Sequence, residues 1–117
     1  MTVVNQLIKL LSTLNYPIFR QGSLSDDEAY PSTFITFWNN STYEDVHYDD
    51  TPARTVWSFY IYVYSDDVEK MYSVLEKSVE LLKSHGWVRD GKGIDVESDE
   101  STHTGRMVKV RYIENYK

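Results

Sequence analysis

The residues with the most chemical potential are two histidines set among carboxylates. His47 stands two and three positions before Asp49 and Asp50, and His103 follows Asp95, Asp99 and Glu100. Imidazole and carboxylate oxygens on a loop are a donor set for a divalent metal. A structural site, however, closes with a tighter ligand set at recognisable spacing, and neither group repeats one. With no Cys in the chain, thiolate metal sites, disulfides and a cysteine nucleophile are excluded together. The stretch around residues 95–103 therefore reads as a solvated acidic loop, and no metal and no cofactor are expected.

Covalent and phosphate chemistry have no better footing. There is no G-x-S-x-G elbow and no H-E-x-x-H pair. Gly91-Lys92-Gly93 lacks the upstream glycine and the following Ser or Thr of a phosphate-cradling loop. Asp26, Asp27 and Glu28 are consecutive, the arrangement of a solvated charge run rather than an acid–base pair. The sequence reads as that of a protein without catalysis. A different pattern stands out: Tyr60, Tyr62 and Tyr64 alternate along one segment, a ladder that either packs under a neighbouring element or forms a contact surface, where Tyr offers rigid area and a hydroxyl.

The elements that would hold these residues are legible in the periodicity. A chain of 117 residues, 41% hydrophobic and 26% charged, is the size and composition of a single globular domain, 1–117. No apolar run reaches the ~20 residues of a membrane helix, and the N-terminus lacks the pattern of a signal peptide. Twelve Lys and Arg against eighteen Asp and Glu leave a net charge of -6, which repels polyanions and argues against specific nucleic-acid binding. Val3, Val4, Leu7, Ile8, Leu11 and Leu14 form a helical stripe with Thr2 as N-cap. Val68, Met71, Tyr72, Leu75, Val79 and Leu82 form a second one, with Asp66 and Glu69 as a capping-box-like pair and Gly86 beyond its end.

Between and after the helices the period is two. Ile18-Phe19 is a short edge strand opened by a proline. Residues 32–39 form a strand, Asn39-Asn40 a turn, residues 41–49 a more polar strand and Asp49–Ala53 a second turn. Arg54–Ser65 sets Trp57, Phe59, Ile61 and Val63 against Ser58, Tyr60, Tyr62 and Tyr64. Trp38 and Trp57 read as core. Asp90–Gly105 reads as a long loop or frayed hairpin, and Met107–Tyr112 as a last strand with Val108, Val110 and Tyr112 opposite Met107, Lys109 and Arg111. The expected fold is α+β: an antiparallel or mixed sheet, two amphipathic helices on one face, and a protruding hairpin or loop. The other face would carry Tyr60, Tyr62, Tyr64, Lys109 and Arg111.

YPIFRQGSL (16–24), YPSTFITFWNNST (30–42), TVWSFYIYVYS (55–65), GWVRDGKGIDV (86–96) and SDESTHTGRMVKVRYIENY (98–116) resemble small tail proteins of Gram-positive siphophages and prophages. The order of elements is similar to that of the tail-terminator, or tail-completion, family of long-tailed phages. That resemblance implies a structural subunit that forms a homo-oligomeric ring, a hexamer, at the head-proximal end of the tail tube. Its partners would be copies of itself, the tail tube protein and a head-completion or neck protein, in a virion tail assembled in the bacterial host cytoplasm. It also implies contacts through sheet edges and extended segments, here Thr42–Ala53 and Asp90–Gly105. The residues assigned to such contacts are Tyr43, Asp45, His47, Asp49, Asp50, Tyr60, Tyr62, Tyr64, Lys109 and Arg111. The alternatives are another neck or head–tail joining protein of related fold, or a small metal- or ligand-binding enzyme using His47, Asp49, Asp50 or His103.

Overall fold

The computed structural model describes residues 2–20, 31–46, 52–98 and 101–115. Helix α1 (Val3–Ser12) starts where the Thr2 hydroxyl accepts from the Asn5 N–H, and Val3, Leu7 and Leu11 are its buried stripe. It stops short of Leu14, and Asn15 turns the chain with a left-handed φ of 65°. Helix α2 (Val68–Lys83) is capped by Asp67, one residue later than the expected Asp66; its carboxylate accepts from the N–H groups of Glu69 and Lys70. At its far end Gly86 takes a φ of 88°, which lets the Gly86 and Trp87 N–H groups reach back to the carbonyls of Lys83 and Leu82. Trp87 is thereby folded into the core.

Five strands form one mixed sheet in the order β1-β2-β3-β5-β4. β1 (Ile18–Arg20) runs parallel to β2 (Thr33–Val46), and every other pairing is antiparallel, with β3 (Pro52–Ser65) central, then β5 (Thr104–Asn115) and β4 (Val88–Val96). The α+β fold with both helices on one sheet face is as the sequence implied. α2 lies across β3, β5 and β4, and α1 packs on α2 beside β1. Ile35, Phe37, Phe59, Ile61, Val63, Val108 and Val110 meet Leu7, Leu11, Met71, Val74, Leu75, Val79 and Leu82 in the core.

Two local expectations are corrected. Asn39-Asn40 is not a turn: β2 runs through it with a bulge, a register shift between Asn39 and Ser41. The Asn39 side chain occupies the irregularity, donating to the carbonyls of Ser41 and Ser58 and accepting from the Thr42 hydroxyl. Asp90–Gly105 is not a loop throughout, because β4 continues to Val96 and forms a hairpin with β5. It is bulged between Asp90 and Ile94, where Gly91 and Gly93 adopt φ of 88° and 96°.

The core ends at the level of Trp57 and Tyr112, while β2 and β3 stay paired on to Val46 and Pro52. Strands of 14 residues span roughly 46 Å at ~3.3 Å per residue. The molecule is accordingly elongated, 53 × 27 × 24 Å.

Candidate interaction surface

Because β3 has no irregularity against β5, its alternation divides the sheet cleanly. Phe59, Ile61 and Val63 point to the helices. Val56, Ser58, Tyr60, Tyr62 and Tyr64 point the other way, and cross-strand pairing adds Phe34, Thr36 and Trp38 from β2 and Met107, Lys109 and Arg111 from β5. Both helices lie on the opposite side, so among the described residues no helix covers this face.

Its centre is a file of rings. Tyr60 and Tyr62 meet edge to face at 6.4 Å, Tyr62 and Tyr64 stack at 6.2 Å, and Tyr64 stacks on Phe34 at 5.2 Å. Gly105, the cross-strand partner of Tyr64, makes room for that ring: a Cβ there would lie 2.7 Å from it. Phe19 and His103 close around Phe34 at 6.1 and 6.0 Å, and Phe34 is buried. Burial pushes the Tyr62 phenol above its ordinary value, and the neighbouring Tyr60 adds to the effect. The three ladder tyrosines are half-buried, held by one another but open to contact.

Trp38, expected in the core, is 44% exposed on this face, with the Arg20 guanidinium carbon 5.9 Å from its ring centre. The physical reason is parity. It lies four residues from Phe34 on the same side of β2, and that side has no helix over it. Trp57, on the helix side, packs against the core as expected and donates its indole N–H to Glu114 at 3.4 Å. Tyr43 is 51% exposed, beyond the bulge on the extended hairpin.

The polar members differ from one another. Lys109 pairs with Asp90 on β4 at 3.6 Å. Arg111 stands in register with Ser58 on one side and Val88 on the other. Its Nε is enclosed without a hydrogen-bond partner, as are Oγ of Ser58, only 2% exposed, and Oδ1 of Asn40 at the bulge. Sequence reasoning placed Arg111 on this face but gave no sign of the orphaned group around it. The signal lies in strand register, which sets Ser58 beside it.

Of the residues considered for metal chemistry, His103 and Asp95 are described, and each is held by another partner. His103 donates from Nε2 to the Pro31 carbonyl at 2.7 Å and contacts the Thr102 hydroxyl through Nδ1. Asp95 instead binds Arg106 at 2.7 Å. Among the described residues no three His, Asp or Glu side chains form a metal-holding group. His47, Asp49, Asp50, Asp99 and Glu100 lie outside the described residues, and of Asp45 only the strand position is described, opposite Arg54. Among the described residues no helix is long and apolar enough to cross a membrane. No protein-family model and no curated protein matches the chain.

Proposed function

We propose that this protein is a structural subunit that assembles with copies of itself through the sheet face opposite the helices and the extended β2–β3 hairpin. The observation that carries the reading is the aromatic file Phe34, Tyr64, Tyr62 and Tyr60, with Trp38 beside it, on a sheet face that neither helix covers. Aromatic side chains, Tyr and Trp above all, are enriched where protein surfaces meet. The strand edges support the same reading. β1 pairs only with Ile35–Phe37, so among the described residues β2 carries no partner on that side from Trp38 to Val46. Unpaired edges of this length are templates for strand addition.

On the resemblance given above, the assembly is the ring, a hexamer, that closes the head-proximal end of a long-tailed phage's tail tube and joins it to the head. In that role the subunit contacts the tail tube protein and a neck protein, works in the virion tail and needs no catalytic residue or cofactor. Sedimentation and native mass measurement across a concentration series, followed by electron microscopy, test it. A closed oligomer with a central hole is expected. A chain that stays monomeric throughout the micromolar range, alone and with a tail tube protein, refutes it.

A further inference from the structure

All five arginines lie in the described residues, and four are engaged there. Arg89 forks onto Glu76 at 2.9 and 3.0 Å, Arg106 binds Asp95 and lies over Tyr72, Arg20 lies over Trp38, and Arg54 is held as well. Among the described residues, Arg111 is the arginine with neither an ion pair nor a hydrogen bond. Its position is nevertheless defined, on a central stretch of β5 between Ser58 and Val88. Its Nε is shut off from water beside a Ser58 hydroxyl that is itself buried and unpartnered. A positioned, half-desolvated guanidinium with no counter-charge is suited to a planar carboxylate, which it can bind with two parallel hydrogen bonds.

We propose that Arg111 is the docking cation of a head-to-tail contact between two copies of this chain, and that it receives a carboxylate from the start of α2 in the second copy. The inference rests on the self-assembly reading and adds its polarity. A two-fold contact centred on Arg111 would set its guanidinium against that of the second copy, like charge against like. The opposite side of the molecule offers the complement. Asp66 and Glu69 are exposed at the beginning of α2, together with Val68, 54% exposed. Sheet face against helix face is a heterologous contact, and heterologous contacts generate rings when their rotation closes. The exposed Val68 and Val88 supply an apolar margin around the ion pair.

Charge exchange between subunits tests this. Arg111→Gln is expected to weaken self-association at least tenfold with unchanged thermal unfolding of the monomer, and Arg111→Lys to restore little, since it has no fork. Arg111→Glu and the double variant Asp66→Lys/Glu69→Lys should each fail to assemble alone and assemble when mixed, because alternating copies make the native ion pair at one junction and the charge-reversed pair at the next. Zero-length cross-linking of Lys109 to Asp66 or Glu69 between isotopically distinct copies is expected as well. If the wild type associates and Arg111→Gln associates equally well, the docking role is refuted while self-assembly stands. If Arg111→Gln is impaired but the mixture stays dissociated, the α2 partner is wrong and the proposal falls. A wild-type chain that never associates overturns both.

Discussion

Adjacent residues on β3 should respond in opposite ways to the same truncation. Phe59 is fully buried in the helix-covered core, with its ring 5.7 Å from that of Trp87. Phe59→Ala removes most of an aromatic side chain from a site closed by the sheet on one side and the helices on the other. Burial of that kind, plus the cavity left behind, costs about 3–5 kcal/mol. For a domain of this size each kcal/mol lowers Tm by about 4 °C, so the loss should appear as a fall of roughly 12–20 °C. Tyr60, one residue on, is half-buried on the face opposite the helices and touches Tyr62 edge to face. Tyr60→Ala should cost about 1 kcal/mol or less, the scale of a cross-strand pair. Urea unfolding of dilute monomer with unchanged m-values measures both. Self-association should show the reverse order, with Tyr60→Ala the more damaging relative to its stability loss. A Phe59→Ala cost below about 1 kcal/mol, or equal costs at the two positions, would refute the division of the sheet into a core face and a free face.

The β4 bulge makes a second prediction. Gly91 and Gly93 both hold positive φ, but a Cβ at Gly91 meets nothing within 4 Å, whereas one at Gly93 would lie 2.5 Å from the Met107 carbonyl oxygen. Thermal unfolding should therefore show Gly91→Ala costing about 1 kcal/mol and Gly93→Ala about 3, strain plus a clash with backbone that cannot turn aside. The Glu76–Arg89 pair gives an acid limb. The hydrogen bonds from Arg89 hold the Glu76 carboxyl below its ordinary 4.5, so its stabilisation is present above that pH and lost as pH falls through the lower folded value. Glu76 is 55% exposed, so that contribution is about 0.3–1 kcal/mol, and Glu76→Gln should flatten the acid limb of stability against pH by no more than this. At the alkaline end, burial and then Tyr60 raise the Tyr62 phenol above 10.0, so its contribution is present below pH 10 and lost as pH rises through the folded value. Spectroscopic titration of Tyr62→Phe should lose one component that ionises above 10.0 in the wild type; an identical titration curve would show that Tyr62 is not the raised group.

The helices and the two faces of β3 were legible in the sequence because each repeats a period dictated by one covered side. Leu7 and Leu11 recur at helical spacing, and Phe59, Ile61 and Val63 recur at strand spacing. What the pattern did not carry was context. Asn39-Asn40 has the composition of a turn, yet the Asn39 amide satisfies the backbone of a bulge instead, and only the paired strand reveals that. Asp90-Gly91-Lys92-Gly93 looks like a loop for the same reason: its glycines serve an irregular edge strand in which Arg89 binds the carbonyls of Gly91 and Lys92. Trp38 has the size and apolarity of a core residue, and its exposure follows from where the helices are, which no local window contains. The orphaned polar group around Arg111 is likewise a product of register between three separate segments.

The two long edges of the sheet are treated differently, and that asymmetry bears on how copies of the chain can meet. β4 is broken by its bulge and carries Arg89, Asp90, Lys92 and Asp95, with its strongest ion pairs directed inward to Glu76 and Arg106. Bulges and charges of this kind blunt an edge against strand addition. On the opposite side β1 is three residues long, leaving β2 beyond Phe37 without a partner strand among the described residues. A sheet protected on one edge cannot extend in both directions by edge pairing, so pairing of β2 edges would stop at two copies and a larger assembly needs another surface of the neighbouring copy. The tyrosine face, over which no helix lies among the described residues, and Arg111 are the proposed surface. An assembly larger than such a pair would have to join unlike surfaces of neighbouring copies, which is the requirement for a head-to-tail ring.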